Sequence, residues 1–65
     1  MKIGAAYDAS RYSIRLMQDD GSEEVIARDD RAEVARVLFE LMRTQHPSRV
    51  VVLRDGDREV DRSGD

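Results

Sequence analysis

The chain has no cysteine and no tryptophan, one histidine, one proline and one phenylalanine. Each shortage excludes something. Without cysteine there are no disulfides and no thiolate zinc site. A single histidine rules out a histidine-rich metal centre. Aromatics make up 5% of the residues, and no apolar run approaches the roughly 20 residues that span a bilayer. The opening MKIGAAYDAS carries one lysine and is too polar for a signal peptide. These features together lead to the expectation of a soluble, cytoplasmic protein with no membrane contact.

Charge is plentiful. Fourteen acidic residues against eleven basic ones give a formal net charge of -3. The two signs are interspersed rather than blocked. That pattern keeps a surface solvated and disfavours a dedicated nucleic-acid binder, which carries a basic stripe. At 65 residues the chain is one domain at most. A domain this small buries about 60% of its unfolded surface and is marginal alone. With staples excluded, a well-packed core or a partner subunit must supply the stability.

The hydrophobic pattern predicts the order β-β-β-α-β-β. Lys2–Tyr7 reads as a first strand, with Ile3, Ala5 and Tyr7 on one face. Residues 11–18 alternate more clearly, Tyr12, Ile14 and Leu16 facing one way and Arg11, Ser13 and Arg15 the other. A turn at Ala9-Ser10 would pair these two strands directly. Asp20-Gly21 supplies a hairpin signal that sets Leu16 opposite Val25 and Ile14 opposite Ala27. A helix is expected from Asp29 or Asp30, with Glu33 at the third helical position completing a capping box on Asp30. Pro47 stops it near Gln45 or His46.

After the helix, RVVVL (residues 49–53) reads as a strand buried on both faces, hence central. Asp55-Gly56 turns the chain into a polar edge strand whose only apolar residue is Val60. The expected fold is α+β: an antiparallel-rich sheet of four to five strands with one helix on one face. A single domain covers residues 1–62, and residues 63–65 form a frayed tail. The uncovered face of the sheet would carry Ser13, Arg15, Met17, Ile26 and parts of Val50 and Val52.

This topology collects Asp8, Asp29, Asp30, Glu33, Asp55 and Asp57 at one end. Clustered carboxylates at strand ends are oxygen ligands for a divalent cation, and two such ions can support phosphoryl transfer. Each acid also has a local reason to be there, because aspartate favours turns and acids favour helix starts. His46 has the same double reading. It could act as a base, but no nucleophile lies near it in sequence, and histidines suit helix C-termini. Tyr7, Tyr12 and Phe39 could stack bases. Without a basic stripe they read as core and sheet residues.

The helix pattern is wider than one packed face requires. Val34, Leu38, Leu41, Met42 and Gln45 line one stripe, and Val37 and Phe39 flank it. Glu33, Arg36, Glu40 and Arg43 line the opposite side, with Arg36 and Glu40 spaced to pair. The flanking Val37 and Phe39 are therefore the candidate interface residues. The expected partner is a second copy of the chain or another protein.

Two resemblances follow from these motifs. Tyr12–Leu16, Arg31-Ala32-Glu33-Val34, Val50-Val51-Val52 and Asp55-Gly56 make the chain resemble a family of short bacterial proteins classed as a domain of unknown function. That likeness implies a fold and no activity. Tyr7-Asp8-Ala9-Ser10, Asp30-Arg31-Ala32-Glu33 and Arg54-Asp55-Gly56 are similar to the first half of the ribonuclease H fold. That likeness implies metal ligands at Asp8, Glu33 and Asp55, acting on nucleic acid. The chain ends before that family's remaining helices and its fourth acid. The reading we carry forward is a small non-enzymatic protein-interaction domain, without cofactor, that self-associates. A minimal divalent-metal site at Asp8, Glu33 and Asp55 is the alternative.

Overall fold

The computed structural model describes residues 10–64. The predicted strand Lys2–Tyr7 and the candidate ligand Asp8 lie outside them. Four strands and one helix follow in order: β1 (Tyr12–Met17), β2 (Glu23–Asp29), α1 (Ala32–Gln45), β3 (Val51–Asp55) and β4 (Arg58–Arg62). The sheet order is β2-β1-β3-β4, and every neighbouring pair is antiparallel. The α+β class read from the sequence therefore holds, with one helix packed on one face.

The strand order differs from the expected meander. β1 is paired on both sides, by β2 and by β3, and the predicted strand Lys2–Tyr7 with its pairing lies outside the described residues. β2 and β3 instead run parallel with β1 between them, joined through α1 in a split β-α-β arrangement. The run of β-branched residues in β3 places it inside the sheet, as predicted. Val51, Val52 and Leu53 are all buried.

The first hairpin carries a compensated slip. Gln18 N–H donates to Ser22 O at 2.7 Å, leaving a three-residue loop. Only Gly21 in that loop has positive φ (+90°), which fits a turn ending in one left-handed residue rather than a two-residue primed turn. The longer loop moves the pairing by one, so Leu16 faces Glu24 instead of Val25. A β-bulge between Ile14 and Arg15 then takes up the extra residue, Ile26, and returns Ile14 to Ala27. Bulges put two consecutive side chains against one partner. Ile26 and Ala27 accordingly both pack on the core. This removes Ile26 from the open face, where simple alternation had placed it.

The core is a single layer between sheet and helix: Ile14, Ala35, Phe39, Val51 and Leu53, with Tyr12, Leu16, Leu38 and Met42 packed around it. Phe39 is 1% exposed. It lies at the centre of the buried face, not on its flank, because α1 rolls toward Ala35 and Phe39 over β3 and β1. Phe39 is therefore removed from the interface set. Val37 stays outside, 65% exposed.

Both ends of α1 differ from expectation in an instructive way. The N-cap is Arg31, with no side-chain cap bond, so the Asp30–Glu33 capping box is absent. Asp30 is diverted to the backbone of Arg11. Arg36 also finds a tertiary partner, Asp61 of β4 at 2.6 Å, instead of Glu40. Glu40 pairs with Arg43 at 2.7 Å. At the other end His46 caps the helix, its N–H donating to Met42 O.

The expected fraying is corrected at Ser63. Ser63 N–H donates to Val51 O at 2.9 Å, and Ser63 Oγ accepts from Val51 N–H at 2.8 Å. This reciprocal pair holds the chain against the start of β3 and leaves Ser63 buried.

Truncating Phe39 to alanine should cost about 3–5 kcal/mol, a large part of the stability of a small domain. Val37→Ala should change stability by less than about 0.5 kcal/mol. Urea denaturation of the two variants checks this. Equal losses would contradict the central placement of Phe39.

Candidate functional site

The acid-rich end forms as the chain direction dictates, but a cation sits in its middle. Tyr12 at the head of β1 is in register with Asp29 on one side and Asp55 on the other. The residue before it, Arg11, is thereby brought between the two strand ends. Its guanidinium donates twice to Asp55, Nε to Oδ1 at 3.1 Å and Nη2 to Oδ2 at 3.2 Å. Its backbone N–H donates to Asp30 Oδ1 at 2.9 Å, and its carbonyl accepts from Gly56 N–H at 2.9 Å. The guanidinium also lies over the Tyr12 ring, 5.2 Å from its centroid.

One residue thus ties the start of β1 to the helix lead-in and to the β3–β4 turn. Gly56 makes the last of these contacts possible. It occupies the first position of the two-residue loop Gly56-Asp57 with φ of +64°, a conformation that β-carbon-bearing residues enter only with strain.

Asp29 is similarly committed. Asp29 Oδ1 accepts from Arg31 N–H at 2.8 Å and Arg31 Nε at 3.3 Å. Arg58 approaches Asp55 at 3.7 Å. The hydrogen bonds from Arg11 hold the Asp55 carboxyl below the usual carboxylate range, and the backbone bond from Arg31 does the same for Asp29. Such lowering marks carboxylates stabilised as anions by their donors. Glu33 is exposed on the first turn of α1. Of the three residues considered as metal ligands, the described structure places Asp55 in an arginine fork and Glu33 at the surface. Among the described residues no group of three or more histidines or acids could hold a metal ion.

A shallow cleft of about 330 Å³ opens beside Arg11, lined by Ser10, Ser13, Arg15, Arg28, Asp55 and Asp57. It leads onto the sheet face that α1 leaves uncovered. That face is charged but matched. Glu23 accepts from Arg54 at 3.0 and 2.8 Å and lies 3.7 Å from Arg15. Arg62 forks onto Glu59 at 3.0 and 2.8 Å. The Arg54 hydrogen bond lowers the Glu23 pKa first, with attraction to Arg54 and Arg15 adding to it against some desolvation. Val52, fully buried, has Arg15 and Arg62 as its direct cross-strand partners, whose aliphatic stems can flank it while their heads reach solvent.

Arg11 was the member of this site that the sequence reading missed. Its alternation put it on an outward face of a strand, one arginine among several. The available signal was its place immediately before a strand that begins at the acid-rich end.

The comparisons with family models, curated proteins and solved structures found no match to this chain. The geometry alone therefore carries the functional reading.

Two outcomes follow from the arginine fork. In the Arg11→Gln variant the Asp55 carboxyl should titrate closer to the ordinary aspartate value of about 4, measured by carboxyl-carbon NMR. An unchanged Asp55 titration would show that the fork does not form. Because the folded carboxylates titrate low, their stabilisation is complete above the unfolded pKa of about 4 and is lost as pH falls through the lower folded values. Acid unfolding of Arg11→Gln should accordingly begin at higher pH than that of the parent chain. In the parent chain, millimolar Mg²⁺ should leave the amide signals of Asp29, Glu33 and Asp55 unmoved in a ¹H–¹⁵N titration.

Proposed function

We propose that this chain is a small non-enzymatic interaction domain that self-associates through the outer flank of α1. The observation that carries this reading is the exposure of Val37 (65%) and Leu41 (45%) beside the buried stripe of the same helix. Around the helix axis Leu38, Val34, Leu41 and Val37 follow one another, so the exposed pair continues the core-facing arc. The opposite flank carries Arg36, Glu40 and Arg43, which are engaged in ion pairs. The apolar arc is therefore lopsided. Arg36 reaches β4, which sets the exposed apolar flank on the side of α1 away from β4.

A second copy fits this flank by a simple symmetry argument. A two-fold axis makes the same patch serve both subunits. Antiparallel contact of two α1 helices brings Val37 of one copy toward Leu41 of the other, one turn apart on the same side. Burying these side chains adds apolar area that a 65-residue domain without disulfides or metal lacks. The non-enzymatic part of the reading is supported at the acid-rich end, where Asp29 and Asp55 are matched to arginines. Among the described residues no helix is long and apolar enough to cross a membrane.

Analytical ultracentrifugation over a wide concentration range should show a monomer–dimer equilibrium. Leu41→Lys combined with Val37→Glu should shift it to monomer while leaving the circular dichroism spectrum intact. A parent chain that stays monomeric at the highest attainable concentration overturns the proposal.

A further inference from the structure

At the end of the molecule opposite the acids, a second and larger cleft of about 470 Å³ lies between the last turn of α1, the following loop and the chain beyond β4. Arg43, His46, Arg49 and Ser63 line it, with Glu40 and Thr44 at the helical side. Its volume falls in the range of small-ligand sites, about 300–1,000 Å³.

Arg49 is the informative residue. Elsewhere on the described surface arginines face carboxylates, as Arg11, Arg36, Arg54 and Arg62 do. Arg49 has no carboxylate partner among the described residues. It is half-buried, and one end of its guanidinium, Nη1, is held by Met17 O at 3.4 Å and Gln18 Oε1 at 3.2 Å. Neutral acceptors thus position the cation without neutralising it. The Nε and Nη2 donors have no partner among the described residues. Among the described residues, where so many arginines meet a carboxylate, this one is held in place, half-buried and without an acidic partner.

The surroundings suit an anion despite the nearby helix C-terminus, whose free carbonyls would repel one. Part of that end is engaged locally, Met42 O accepting from His46 N–H and His46 O from Arg49 N–H, and the guanidinium charge of Arg49 opposes the remaining carbonyl dipoles. Arg43 lies over the Phe39 ring at 5.8 Å and gives Nη1 to Glu40 at 2.7 Å, so it is a second guanidinium beside the cleft that an anion would share with that carboxylate. The His46 imidazole has no hydrogen-bond partner among the described residues and adds a further donor. Planar guanidinium forks match phosphate oxygens in a bidentate manner.

We propose that this cleft binds a small organic phosphate monoester, the phosphate on Arg49 and Arg43 with His46 donating. Glu40 accepts from a hydroxyl or amino group of the organic part. The volume exceeds what a bare phosphate fills, which is why the ligand class includes an organic body. This site is independent of the self-association surface, since Val37 and Leu41 do not line it.

The test is a ¹H–¹⁵N NMR titration of the full chain at constant ionic strength with adenosine monophosphate, inorganic phosphate and a short single-stranded DNA in parallel. Adenosine monophosphate should give saturable shifts at His46, Arg49 and Gly64, with a dissociation constant tighter than about 1 mM. Arg49→Gln should weaken binding by about tenfold or more, and Arg49→Lys should restore part of it. Arg43→Gln provides a second reading if Arg49→Gln fails to fold. No saturable shift, or equal binding by the Arg49→Gln and Arg43→Gln variants, overturns the site. Phosphate binding as tightly as the nucleotide overturns the organic part of the ligand. Tighter binding of the DNA overturns the small-molecule assignment.

Discussion

The packing of this domain at its acid-rich end depends on Arg11. Its guanidinium, backbone N–H and carbonyl reach two other segments: the β3–β4 turn, at Asp55 and Gly56, and the helix lead-in, at Asp30. Surface ion pairs are individually weak, about 0–1 kcal/mol, and the Arg11 side chain is largely exposed. Its importance is geometric. The two backbone bonds and the bidentate fork set where the helix enters and where the last hairpin turns, and both elements then close over Ile14, Phe39 and Leu53.

This arrangement accounts for why a constellation that suggests catalysis does something else. Antiparallel strands alternate direction, so acids at the end of β2, before α1 and at the end of β3 must meet. Unopposed, they would repel one another and attract a cation. The chain supplies that cation itself. The open sheet face follows the same logic, with Glu23 shared by Arg54 and Arg15 and Glu59 held by Arg62. Many of the charges on the described surface are matched in internal pairs, beside which two features stand out: an exposed apolar flank on α1, and an arginine at position 49 held by neutral acceptors.

Much of the fold was legible because binary patterning is a strong signal. The alternation of β1, the β-branched run of β3, the stop at Pro47 and the Asp-Gly turns were all readable, and the Ile14–Ala27 pairing was correct. What was not legible lay one step beyond local pattern. Leu16 was displaced from Val25 because the loop held three residues, not two, and the bulge at Ile26 repaired the register afterwards. The capping box was absent because Asp30 was bound elsewhere by tertiary structure. Phe39 was read as a flank because periodicity gives the width of an apolar arc but not which part of it the sheet covers.

By itself, then, the sequence determined, for the described residues, the element types and their order, the α+β class and the gathering of acids at one end. These rest on local propensity and on chain direction, both of which act over a few residues at a time. Only the tertiary structure decided that β1 lies between β2 and β3, that Arg11 occupies the centre of the acidic end, and that Phe39 is core while Val37 is surface. Those outcomes depend on which distant segments compete for the same edge, the same carboxylate or the same area of sheet. Such competition is settled by packing all the elements together, and no window of the sequence contains it.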